Sequence, residues 1–152
     1  MTTATGDRVY TIKEAAALTG LPASTLRYYE SMGVITHVSR GATSGHRMYR
    51  DDDLDRLMWV ACLAATGMSI NDMRQYVENG ELGRERATEQ IALLSEQARR
   101  LETEAQELAL RTRYVDLKVA YWQAIERGDN EGAEKLGHDA YVLAEELRHI
   151  TK

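Results

Sequence analysis

The sequence predicts a mainly α-helical chain in two parts, a small helical head followed by a long helix that needs a partner. Three observations carry that reading. There is one proline in 152 residues, amid plentiful Ala, Leu, Glu and Arg, which favours helix nearly throughout. A capped helix, a tight Gly20-Leu21-Pro22 turn and a second helix follow one another before Gly33, the layout of a helix-turn-helix. Apolar or small residues then recur at alternating steps of four and three from Ala87 to Trp122, which is a heptad seam.

Taken in order, the first helix opens at Thr11-Ile12-Lys13-Glu14, a capping box with Tyr10 placed as a hydrophobic staple. Small residues on its apolar face allow a second helix to approach closely. That second helix carries Leu26 and Tyr29 on one face, with Met32 near them. Ser24, Thr25, Arg27 and Tyr28 fall largely on another. From Val34 to Tyr49 the residues become β-prone around a glycine-rich tip, Gly41 to Gly45, and predict a hairpin flanked by Arg40, His46 and Arg47. Asp51-Asp52-Asp53 starts a helix ending at Gly67, and Ser69 caps another that stops at Gly80. The pattern from Leu82 to Arg127 would make a helix on the order of 65–70 Å long. Gly128-Asp129-Asn130 breaks it, and a last amphipathic helix folds back on its own long helix or on a partner's. The expected boundaries are 8–80 for the head, 82–127 for the dimerising helix and 129–152 for a C-terminal helix and candidate effector region.

Composition narrows the function classes. A hydrophobic share of 43% and a charged share of 28% exclude wholesale disorder. The single cysteine, Cys62, excludes a disulfide framework and a multi-cysteine zinc site within one chain. No apolar run suffices to span a bilayer, and Met1 to Asp7 lacks an apolar signal core. A cytoplasmic chain with no membrane partner is expected. Neither a nucleophile–base set nor a cofactor motif occurs, so neither an enzyme nor a cofactor is expected. No metal is expected either, since His138 and His149 read as surface residues.

Charge is unevenly spread. Residues 1–50 hold six basic against three acidic residues, a net of +3, which leaves −8 for the rest of a chain whose total is −5. A basic head on an acidic body is the pattern of a nucleic-acid reader with a dimerising tail. The candidate DNA-contacting residues are Ser24, Thr25, Arg27, Tyr28 and Tyr29 on the second helix. Arg40, His46, Arg47 and Tyr49 join them from the hairpin. Guanidinium, hydroxyl and phenol groups reach phosphate oxygens and base edges. The competing reading of Tyr28 and Tyr29 is as core aromatics. Along the seam, Ile91, Leu94, Ala98, Leu101, Ala105, Leu108 and Val115 are the candidate dimerisation residues. A helix so long cannot bury them against its own head, so a second copy is the economical partner, parallel or antiparallel. A coiled-coil adaptor whose head no longer binds DNA is the alternative.

Several strings together resemble the MerR family of transcription regulators. They are Tyr10-Thr11-Ile12, Gly20, Thr25-Leu26-Arg27-Tyr28-Tyr29-Glu30, Gly45-His46-Arg47-Met48-Tyr49, Asp53-Leu54-Asp55-Arg56-Leu57 and Gly67-Met68-Ser69-Ile70. The resemblance covers residues 9 to 77. It implies a winged helix-turn-helix DNA-binding domain with an antiparallel dimer coil. It also implies an operator between promoter elements that the protein bends and untwists for RNA polymerase, or holds shut. Groove contact by Thr25, Arg27 and Tyr28 and wing contact by Arg47 carry over. His46 replaces the usual aromatic before the wing arginine, and Ile35-Thr36-His37-Val38 replaces a proline-containing strand.

The segments Val60–Met68 and Arg113–Trp122 resemble the AdhR/NmlR branch, whose members carry a lone cysteine and respond to reactive aldehydes, quinones or nitrosative stress. That resemblance makes Cys62 a candidate effector site and a small electrophile a candidate signal. The branch's lysines near the cysteine are Ala61 and Ala64 here, so an inert, buried Cys62 stands beside the sensor reading.

Overall fold

The computed structural model describes residues 8–35 and 38–150. The chain divides into two compact units, with the boundary after Gln97.

In the first unit, α1 (Ile12–Thr19) is held by the expected capping box. The Thr11 hydroxyl oxygen accepts from the Glu14 backbone N–H at 3.1 Å, and the Glu14 carboxylate accepts from the Thr11 N–H at 3.3 Å. Gly20, at φ +74, ends it in the left-handed conformation that favours glycine. Helix α2 (Ala23–Ser31) follows Pro22, which has no N–H to leave unpaired at the helix start. The wing is an antiparallel pair, β1 (Ser39–Arg40) and β2 (Arg47–Met48), in the register Ser39 with Met48 and Arg40 with Arg47.

This hairpin is shorter than the sequence suggested. Val34, Ile35 and Val38 are all buried in the head's core instead of alternating in and out. Thr36 and His37, counted in the expected hairpin, lie outside the described residues. Tyr10 adds to the wing from the other side: its N–H and C=O exchange bonds of 2.7 and 2.8 Å with the backbone of Tyr49.

Helix α3 (Asp51–Ala65) is capped at Arg50, whose N–H donates to the Asp53 carboxylate at 2.9 Å. The three aspartates occupy its first turn, where the helix dipole favours them. Ser69 caps α4 (Ile70–Leu82) by accepting from the Asp72 N–H at 3.1 Å. This helix does not stop at Gly80 but runs on to Gly83, at φ +57, and a short 3-10 turn (Gly83–Arg86) leads into α5 (Ala87–Glu126). Gly80 stays helical, and a Cβ added there would lie 3.9 Å from the Gln90 amide, an ordinary contact.

The core joins Ala15, Leu26, Tyr29, Val34, Leu57 and Val60 with Tyr49. The first turns of α5 belong to this unit. The Gln90 amide donates to the Tyr76 carbonyl at 2.8 Å and accepts from Asn79 at 3.2 Å, and Gln97 donates to the Thr66 carbonyl at 2.9 Å. These bonds hold the first turns of α5 to the head, and at buried Asn79 and Gln97 an unmade hydrogen bond costs about 1–3 kcal/mol.

In the second unit the remainder of α5 meets α6 (Asn130–Ile150). Gly128, at φ +76, ends α5, and the Asp129 carboxylate accepts from the Gly132 N–H at 2.9 Å. Gly137 brings the α6 backbone against the Tyr121 ring, and Ala124, Ala133, Ala140 and Leu143 are buried. Helix α6 therefore folds back on its own long helix. The seam residues are left open.

Candidate nucleic-acid interface

One face of the head collects most of the basic residues of residues 1–50. The start of α1, the outward side of α2 and the wing enclose an open cleft of about 620 Å3. Lys13, Arg27, Arg40, His46 and Arg47 line it, together with the Tyr10 and Met48 side chains and the Gly45 turn, and no acidic residue among those described does. Low-dielectric walls around charges of one sign focus their field outward, so this cleft attracts polyanions.

Individual side chains are held in place. Arg40 donates from Nη1 to the Gly45 carbonyl at 3.2 Å, bracing the wing tip, where Gly45 is at φ +68. Arg47 donates from Nε to Glu30 Oε2 at 2.9 Å. Glu30 is only 8% exposed, so the pair ties the wing to α2 and sets the direction of a half-buried guanidinium. On α2 itself, Ser24 and Arg27 are exposed and Thr25 is half-buried. Tyr28 is 50% exposed.

Two expected contact residues lie elsewhere. Tyr29 is 7% exposed and Tyr49 is 0% exposed; both are core residues that position the face instead of presenting it. Tyr29 points inward because it falls one turn from Leu26 on the same stripe. Tyr49 sits between the wing and α3, paired through its backbone to Tyr10. Burial pushes its phenol pKa up, with the Arg47 charge opposing, and its hydroxyl has no hydrogen-bond partner among the described residues. Tyr10 donates its hydroxyl to Asp51 Oδ1 at 2.9 Å, and that bond raises its pKa.

Lys13 and Glu30 were not singled out by the sequence. Lys13 enters the sequence pattern as a member of the capping box and as one of the six basic residues of 1–50. Glu30 did carry a signal: it is the one acid in α2, and it sits near the C-terminus, where the helix dipole disfavours a carboxylate. An acid kept there has a cationic partner.

Cys62 is exposed, against the expectation of a buried thiol. It lies on α3 beside Trp59, Leu63 and Tyr76, around a shallow depression. The dimerisation candidates Ile91, Leu94, Leu101, Leu108 and Val115 are exposed large apolar residues, and Ala98 and Ala105 are exposed with them. Among the described residues no group of three or more His, Cys, Asp or Glu side chains is arranged to hold a metal ion, and no helix is long and apolar enough to cross a membrane.

Residues 10–89 match the family model described as MerR HTH family regulatory protein. An HTH-type transcriptional regulator of Haemophilus influenzae is 34% identical over 117 residues, covering 75% of this chain and 84% of that protein. The regulator AdhR of Bacillus subtilis is 38% identical over 65 residues, which span 43% of this chain and 46% of AdhR. Among solved structures, HiNmlR, a MerR family regulator lacking the sensor domain and bound to promoter DNA, superposes with a TM-score of 0.63 at 30% identity. The match covers 79% of this chain and 94% of that one.

Proposed function

The chain belongs to the MerR family of helix-turn-helix regulatory proteins, and from that premise we propose that it works as a homodimer whose two heads grip promoter DNA. The observation that carries the proposal is the acid-free cleft between α1, α2 and the wing. In the reading it supports, α2 enters the major groove, with Arg27 and Tyr28 at base edges or phosphates and Ser24 and Thr25 beside them. Lys13, Arg40, His46 and Arg47 lie along the backbone, where contacts fix register and carry little sequence information. Glu30, Tyr29 and Tyr49 hold that array in shape.

Pairing through the exposed seam of α5 places two such heads on one duplex, and a two-fold protein calls for a near-palindromic site. Bending the DNA between the heads lets both wings engage, and that deformation is the step by which the protein would present a promoter to RNA polymerase or withhold it. This is the work of a regulator and not an enzyme, and it places the chain where the DNA is, in the cytoplasm. For the signal, exposed Cys62 is the residue we assign: its sulfur bonds to the electrophilic carbon of an aldehyde or quinone as that carbon's π bond opens, and the thiol proton ends on the oxygen, so no oxidant is needed. The adaptor alternative is favoured by no feature of the head.

Fluorescence anisotropy of the purified protein on its own upstream DNA, repeated across salt concentrations, tests the proposal. Lys13, Arg27, Arg40 and Arg47 of each head, meeting one phosphate apiece, predict a log–log salt slope of about −7 for the dimer, at about −0.9 per phosphate neutralised. Binding that is absent, or indifferent to salt, refutes it.

A further inference from the structure

A second cleft, of about 320 Å3, lies between α3 and α4, with Gln90 of α5 completing its lining. Its volume falls within the roughly 300–1,000 Å3 usual for small-molecule sites. Trp59 and Tyr76 supply aromatic walls, with Val60 and Val77 beside them. The carboxylates of Asp52, Asp55 and Glu81 line it against one guanidinium, that of Arg56.

Trp59 stands 62% exposed in a unit that buries Tyr29 and Tyr49. Gln90 is held in the lining, because its amide donates to the Tyr76 carbonyl and accepts from Asn79 of α4. Gly80 lines the cleft with backbone alone. An electron-rich indole face next to a surplus of carboxylates attracts a positive charge that carries a ring, through cation–π attraction and ion pairing together.

We propose that this cleft binds an aromatic organic cation, a quaternary ammonium or protonated amine bearing a ring. The ring lies on Trp59 and Tyr76, and the charge faces Asp52, Asp55 and Glu81. A neutral aromatic loses the ionic half of the interaction, and an anion is repelled. The site lies between α3 and α4 of the head and the first turns of α5, so its occupancy bears on how firmly those turns are held to the head. That regulatory consequence rests on the promoter-binding reading; the binding itself does not.

Isothermal titration of the full-length, DNA-free protein with benzyltrimethylammonium, and with benzenesulfonate as the anionic counterpart, tests the site. The expected result is saturable binding of the cation, one per chain, and none of the anion. Trp59→Leu and Tyr76→Leu weaken it about tenfold. The exposed changes Asp55→Asn and Glu81→Gln, which leave the apolar packing alone, weaken it about threefold. Equal binding of both probes overturns the proposal, as does cation binding that survives Asp55→Asn and Glu81→Gln unchanged. Binding that appears only in a seam variant, Leu101→Asp, would show that a second copy of the chain covers the cleft, and overturns it too. Anisotropy on upstream DNA with the same samples keeps the two readings apart: lost DNA binding with intact cation binding sinks the regulator reading alone.

Discussion

The head and the long helix both carry regular apolar patterns, yet they use them differently. Leu26, Leu57 and Tyr49 of the head are fully buried by their own chain, whereas Leu108, in a repeat at least as regular, is 59% exposed. Periodicity identifies which side chains favour leaving water; it does not say against what. In the head, short helices joined by glycine turns at Gly20, Gly33 and Gly67 bring their stripes together. In α5 no turn intervenes for 40 residues, so most of the seam has no intrachain surface to meet. One region folds alone and the other assembles.

If that division is right, the two regions fail separately. Leu57→Ala should destabilise the head by about 2–5 kcal/mol, the range for emptying a fully buried leucine site, as read by urea unfolding of the purified protein. Its dimer dissociation constant should stay the same by sedimentation equilibrium. Leu108→Asp should do the reverse. It places a carboxylate on the seam of both copies and should weaken the dimer about a hundredfold, about 2.7 kcal/mol, while the head's unfolding transition stays in place. A Leu57→Ala protein that dissociates, or a Leu108→Asp protein whose head melts early, would show that folding and assembly are one process here.

The face on the head divides in the same way, into groups that touch and groups that hold. Arg27→Ala and Tyr28→Ala should each weaken operator binding about tenfold while leaving the dimer intact. Arg27→Ala should also make the salt slope shallower, by about one unit for each phosphate that its guanidinium neutralises. Glu30→Gln keeps a hydrogen-bonding oxygen for Arg47 but removes the ion pair. It should weaken binding about threefold with an unchanged salt slope, because every cation that meets a phosphate is still there. A Glu30→Gln protein with tighter binding would mean that the carboxylate restrains Arg47 from the backbone instead of aiming it.

Much of this was legible in the sequence, and the exceptions have physical causes. Caps were legible because they are local: Thr11 with Glu14 and Ser69 with Asp72 form within one turn. Arg27 and Tyr28 were legible as outward residues because Leu26 fixes the inward side of α2. The α4 boundary differs from the expected one because Gly80 stays helical, and the glycine that turns to positive φ and ends the helix is Gly83. Tyr49 differs because alternation along the wing gives a face but not which face is covered, and the covering comes from the head's core cluster, whose members lie far apart in the chain. The Arg47–Glu30 pair joins residues 17 apart in the chain, and local pattern says little about such a bond.

Tyr49→Phe is the finest probe of the holding groups. The Tyr49 hydroxyl is buried and has no partner among the described residues, so removing it deletes a desolvated polar group and keeps the ring packing. The variant should be as stable as the parent or more so, by up to about 1 kcal/mol near neutral pH. Burial also raises the folded-state pKa of this phenol above its ordinary value of about 10. Below pH 10 the phenol is protonated in both the folded and unfolded chains, and its contribution to stability is fully present. As pH rises past 10 the unfolded chain releases the proton while the folded one retains it, so stability falls until the folded pKa is reached. The parent should therefore lose stability above pH 10 more steeply than Tyr49→Phe, with the Tyr10 contribution common to both. Urea unfolding between pH 8 and about 11 measures both effects. A variant destabilised by more than about 1 kcal/mol at pH 8 would mean that the hydroxyl has a partner in solution, and parallel alkaline slopes would mean that the phenol is not shielded in the core.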